Sequence, residues 1–177
     1  STSSQKGVVG LKYVDLDTPA LLLDQDVLEA NIATMAGFFR DRSANLRAHV
    51  KTHKSTAVLE RQMASGLRSF KCATLREAEL LLQNGVDEMI FAYPLIHPKK
   101  IQRFLSLKKK YSDASVKAIV GTPEHLEGLS EAIRREGMEL DVYVDLDTGM
   151  RRTGVQPGQE AAEFYLEAAS TKGINVL

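Results

Sequence analysis

Residues 46–55, "LRAHVKTHKS", place two lysines, two histidines and an arginine in a chain whose formal charge is zero. Read with a period of two, Leu46, Ala48 and Val50 fall on one face, and Arg47, His49 and Lys51 on the other. Parallel strands covered on both sides normally read as continuous apolar runs. A strand with one apolar and one charged face therefore predicts helices on its apolar side and a barrel interior on the other. Charge in that interior is costly unless it is paired or used. A second stretch, "DVYVDLD" (141–147), repeats the pattern: Val142, Val144 and Leu146 share one face, opposite Asp141, Tyr143, Asp145 and Asp147.

Around these two strands, apolar runs of strand length alternate with helical patterns. "PALLLD" (19–24) predicts a strand, followed by a helix from about Asp26 as N-cap, with Leu28, Ile32 and Met35 on one face. After "LRAHV" come a helix over 56–64, the strand "SFKCA" and the helix "LREAELLLQNG". Thr74 and Glu77 open that last helix as a capping box, and Gly85 stops it. "EMIFAYP", "SVKAIVG", "ELDVYVDLD" and "INVL" read as further strands, separated by the helices "PKKIQRFLSLKKKY", "PEHLEGLSEAIRREG" and "PGQEAAEFYLEAASTKG".

Short βα repeats of this kind predict a parallel sheet covered by helices. No G-x-G-x-x-G turn is present, which argues against a doubly wound nucleotide-binding sheet. The expected fold is a (β/α)8 TIM-type barrel, incomplete in this chain: six βα units from Leu46 onward, plus the N-terminal strand and helix. A complete barrel takes about 250 residues, so about two βα units, and possibly a further domain, are expected beyond Leu177. Residues 1–13 read as a flexible start and 14–177 as the barrel domain.

Composition narrows the function. Lys+Arg and Asp+Glu balance at 23 each, which points to neither a nucleic acid nor an anionic membrane as partner. No apolar run approaches the roughly 20 residues of a membrane span. Cys72 is the single cysteine, so no internal disulfide forms, and a reducing cytoplasmic setting is expected. Its setting in "FKCA" predicts a buried structural thiol.

The charged faces nominate a site, because barrel enzymes keep their chemistry at the C-terminal ends of the strands. Lys51 is expected to close one polar-faced strand and Asp147 the other. Neighbouring like charges and partial desolvation favour a neutral lysine amine, the nucleophilic form for Schiff-base formation. The competing reading is a structural ion cluster that pairs Arg47 and Lys51 with Asp145 and Asp147. Lys54, three positions on, is expected to be solvated or to steer a phosphate. "EMIFAY" and "SVKAIV" are mostly apolar, so the polar interior is expected to be confined to particular strands.

Together, "RAHVKTHKS" and "DLDTGMRRTGV" resemble the fold-type III pyridoxal-phosphate (PLP) enzymes, in the branch of D-threonine aldolases and eukaryotic-type D-serine dehydratases. The first stretch is similar to the motif R-P-H-x-K-T-H-K, with Ala48 in place of proline; the second is similar to D-T-G-M-x-R-x-G, shared with alanine racemases. The resemblance implies that Lys51 carries PLP as a Schiff base, with His49 in its motif at the cofactor. It also implies that Arg152 approaches the phenolic oxygen of the cofactor. Asp145 stands where alanine racemases carry a lysine that supports this arginine, which argues against racemase chemistry.

The resemblance further implies a lyase acting on D-configured β-hydroxy amino acids, most simply D-threonine aldolase-type cleavage to glycine and an aldehyde. D-serine dehydratase chemistry and a non-catalytic PLP-binding barrel are the alternatives. A divalent metal (Mn, Mg or Zn), held by a C-terminal β-domain outside this chain, and a homodimer are implied in the same way. Other residues receive plainer expectations: His97 a surface turn, His125 the surface, Tyr93 core packing, and "SLKKKY" a solvated helix end.

Overall fold

The computed structural model describes residues 12–40 and 45–177. Alternation drives its sheet: Phe70, Cys72, Met89, Phe91, Val116, Ala118, Val120, Leu140 and Val142 are all buried against helices. The residues between them are polar or only partly covered.

The strands are β1 (Arg47–His49), β2 (Ser69–Cys72), β3 (Glu88–Phe91), β4 (Ser115–Val120), β5 (Leu140–Val144) and β6 (Ile174–Val176). All pair in parallel, in the order β1-β2-β3-β4-β5-β6. Each strand lying beside its predecessor is barrel order, without the reversal that defines a doubly wound sheet. The described chain is thus a partial barrel of six strands. Its helices are α1 (Gln25–Gly37), α2 (Thr56–Ala64), α3 (Leu75–Gln83), α4 (Pro98–Lys110), α5 (Pro123–Glu136) and α6 (Gln159–Ser170).

Local chemistry sets the helix ends. Ser55, Thr74 and Thr122 accept the third N–H of α2, α3 and α5 through their hydroxyls. His97 caps α4 through Nδ1, which accepts the Lys99 N–H at 3.2 Å, so it does mark the expected surface turn. Gly137 ends α5 with φ of 63°, the left-handed conformation glycine adopts without strain. Cys72 is fully buried, and burial pushes its thiol pKa up, as a structural cysteine requires.

Two N-terminal expectations need correction. Residues 19–24 form no strand, and Leu21 is 99% exposed. A strand must pair its backbone groups with a neighbour, and no described strand lies beside this stretch. The cap of α1 is Asp24, not Asp26: its carboxylate accepts the Val27 N–H at 3.0 Å, the spacing a cap needs. Most of the flexible start expected over 1–13 lies outside the described residues.

Candidate active site

The interior face of the sheet is polar over more strands than the sequence predicts. In register across it lie His49, Lys71, Ile90, Lys117, Asp141 and Asn175, one from each strand. Asn175 donates to Asp141 at 3.2 Å. One layer below, Arg47 pairs with Glu88, which Lys117 also meets at 3.2 Å. The cluster weighed in the sequence, Arg47 and Lys51 with Asp145 and Asp147, does not form among the described residues; Arg47 pairs with Glu88 of β3 instead. The polar layer is not confined to two strands because a single Lys or Glu in an apolar run shows its neighbours only once the lateral register is known.

At the C-terminal ends of the strands, β1 stops at His49. Lys51 sits in the 3-10 turn Val50–Thr52 that follows, and it is exposed rather than partly desolvated. The turn forms because His49 Nδ1 accepts the Lys51 N–H at 3.2 Å, which leaves the ring proton on Nε2. Burial first, then the Lys51 and Lys71 charges, lowers the His49 pKa, while Glu77 opposes them. His49 is thus a neutral imidazole beside the lysine at neutral pH.

Lys54 is not merely solvated. It adopts φ of 48° and turns its ammonium back, donating to the Lys51 carbonyl at 2.9 Å and to Glu77. Glu77 is only 3% exposed, and its second oxygen accepts the Ala73 N–H at 2.8 Å. Burial alone would raise the Glu77 pKa, but Lys54 and the Ala73 N–H outweigh it and hold the carboxylate ionised.

The loop after β5 carries the second motif. β5 ends at Val144, so Asp147 does not close the strand; it organises the loop instead. Its carboxylate accepts the Arg151 N–H at 2.8 Å, the Gly149 N–H at 3.0 Å and the Gln156 amide at 3.2 Å. Those backbone N–H groups, Arg151 foremost, lower its pKa. The loop closes on itself, with Val155 N–H donating to Asp145 O and Asp147 N–H to Val155 O, both at 2.9 Å. Gly154, at φ of 97°, lies so close that an added Cβ would meet Asp147 N and the Leu146 carbonyl carbon at 2.7 Å.

This closure presents Arg152 over the ring of Tyr93, 5.9 Å from its centroid. Tyr93 follows β3 and is 45% exposed, so it is a surface of the mouth and not core packing. The β5 loop thereby reaches across β4 to the end of β3. An open hollow of about 450 Å³ lies against Asp147, Gly149, Arg151, Arg152, Thr153, Gly154 and Gln156.

His125 is the clearest residue the sequence reading missed. It is 2% exposed, and its Nε2 accepts the Leu95 N–H at 3.0 Å, pinning the loop after β3 to α5. Burial pushes its pKa down to about 4, with Asp145 partly opposing. A histidine neutral when folded but near 6.5 when unfolded makes stability fall as pH drops from about 6.5 towards 4. We expect up to ~3 kcal/mol to be lost over that window, and His125→Gln to flatten the slope, as read by urea unfolding at successive pH values. A slope unchanged by the substitution would refute the assignment. Asp145, the nearby carboxylate, has one oxygen buried without a hydrogen-bond partner among the described residues.

Among the described residues no group of three or more His, Cys, Asp or Glu side chains converges to hold a metal, and no helix is long and apolar enough to cross a membrane.

Comparison with known proteins agrees with this fold. The family model described as "Alanine racemase, N-terminal domain" matches residues 23–177. The chain is 30% identical to 3-hydroxy-D-aspartate aldolase of Paracoccus denitrificans over 93% of its own length and 42% of that protein. It superimposes on the crystal structure of D-threonine aldolase from Filomicrobium marinum with a TM-score of 0.83 at 32% identity, covering 93% of this chain and 43% of that one. With D-threo-3-hydroxyaspartate dehydratase from Delftia sp. HT23 the TM-score is 0.79 at 28% identity, over 91% and 42% of the two chains. The chain thus spans a little over two fifths of the length of these relatives.

Proposed function

The chain belongs to the alanine racemase N-terminal domain family, and on that premise we propose that it forms the cofactor-binding part of a PLP-dependent lyase acting on D-configured β-hydroxy amino acids. The D-threonine aldolase type, yielding glycine and an aldehyde, is the reading we favour. The observation that carries it is the pairing, at one end of the sheet, of an exposed Lys51 amine beside a neutral His49 with a guanidinium, Arg152, braced on Tyr93.

Those residues suit PLP. Lys51 would hold the cofactor through its amine, and it is exposed where a carbonyl carbon can reach it. His49, being neutral, adds no second cation beside that amine. Arg152, which lies 5.9 Å from the centroid of the Tyr93 ring, would donate charge-assisted hydrogen bonds to the phenolate oxygen. PLP, when bound, supplies the electron sink that stabilises the carbanion left when the Cα–Cβ bond breaks. Lys51 would also be placed to move a proton at the substrate.

A divalent metal engaging the substrate hydroxyl, bound by residues other than those described, belongs to this proposal, as do a homodimer and a cytoplasmic setting. The second reading is a dehydratase, which loses water and then ammonia; the similarity to the Delftia dehydratase favours it. Incubating the intact protein with D-threonine, PLP and Mn²⁺ separates the two. We expect glycine and acetaldehyde from D-threonine and neither product from L-threonine. Release of ammonia and an oxo acid instead would install the dehydratase reading, and interconversion of alanine enantiomers would overturn both.

A further inference from the structure

Buried carboxylates cost several kcal/mol unless paired, so the charge at Glu77 needs a reason. Capping α3 does not supply it, because glutamine serves that position of a capping box equally well. The carboxylate instead links two βα units. One oxygen holds the Ala73 N–H at the exit of β2, and the other holds the ammonium of Lys54, at the exit of β1. Lys54 in turn donates to the Lys51 carbonyl, and its own N–H donates to the Val50 carbonyl at 2.9 Å. Val50 is fully buried, so the turn that bears Lys51 is fixed below by the core and above by this pair.

Resting on the reading of Lys51 as the cofactor lysine, we propose that Glu77 and Lys54 are positioning residues, a clasp that sets where the Lys51 amine is delivered to PLP. Neither side chain touches the cofactor in this role. A lysine amine on four rotatable bonds is directed mainly by its backbone, and the clasp immobilises that backbone before PLP arrives. The left-handed φ of Lys54 is the strained element of the turn, held in place by the two acceptors of its ammonium.

The test uses Glu77→Gln, Lys54→Met and Lys54→Arg in the intact protein, with Lys51→Ala as reference. PLP affinity is read by absorbance titration, and attachment by borohydride trapping and mass spectrometry at residue 51. Amide exchange at Lys54 and acetylation of the Lys51 amine are read in the cofactor-free protein. We expect Glu77→Gln and Lys54→Met to weaken PLP binding about tenfold, with faster exchange at Lys54 and altered acetylation of Lys51. Lys54→Arg, which keeps the charge and the donors, should remain within about threefold of the parent, a rescue that loss of general stability would not give. Lys54 is 59% exposed, so Lys54→Met decides the matter should Glu77→Gln not fold. Unchanged affinity and unchanged Lys51 acetylation in folded variants would overturn the clasp while leaving Lys51 as the attachment point. Trapped cofactor that survives Lys51→Ala would overturn both.

Discussion

A Lys51→Ala protein is expected to yield no borohydride-trapped pyridoxyl group on any residue and to lose at least ~10³-fold of its D-threonine cleavage rate. The reason is chemical and local. Among the residues at the mouth, Lys51 combines an exposed amine with a neutral imidazole next to it, whereas the Lys54 ammonium is engaged by Glu77 and by a carbonyl. Stability should change by less than about 0.5 kcal/mol, because an exposed side chain is removed and no packing is lost. Loss of activity with an unaltered unfolding midpoint would therefore separate chemistry from fold. If the trapped cofactor appeared at Lys54 in the parent protein, the assignment of the two lysines would have to be exchanged.

Gly154→Ala should be the most damaging single substitution in the second motif, costing about 3 kcal/mol. Its φ of 97° strains any side chain, and the new Cβ would come within 2.8 Å of backbone atoms of Asp145, Leu146 and Asp147. Backbone cannot turn aside as a flexible side chain can. The loop would open at the Asp145–Val155 and Val155–Asp147 hydrogen bonds, releasing Arg152 from Tyr93. Chemical denaturation measures the cost, and PLP affinity should fall with it. A Gly154→Ala protein of unchanged stability and affinity would mean that the loop closes differently from the geometry described. Gly121, whose added Cβ would meet Gly154 Cα at 3.0 Å, belongs to the same close approach of β4 and the loop.

Both predictions concern motifs legible in the sequence, yet their reasons were not. "LRAHVKTHKS" announced a strand with a charged face, and period-two alternation put Arg47 and His49 inside. It also placed Lys51 at the end of the strand, where the chain in fact breaks into a 3-10 turn directed by the His49 ring. The capping box at Thr74 and the stop at Gly85 were equally readable, because a cap is a contact between residues three or four apart. So was barrel order, which follows from short connections that force each strand beside the last.

Several of the misreadings share one cause. Lys54 and Glu77 are 23 residues apart, Leu95 and His125 are 30 apart, and Tyr93 meets Arg152 across β4. A residue such as His125, in the first turn of a helix, carries no local mark that a backbone N–H from another unit will meet it. Lys71 and Lys117 likewise looked isolated in apolar runs until the ladder set them level with His49 and Asp141. By itself the sequence determined the period, most of the helix caps, the order of units from β1 onward and the two motifs, since these rest on steric and hydrogen-bonding rules spanning a few residues. Only the tertiary structure decided which charges meet, which lysine is engaged and which histidine is buried. Those outcomes depend on lateral register and desolvation, which arise when distant segments pack.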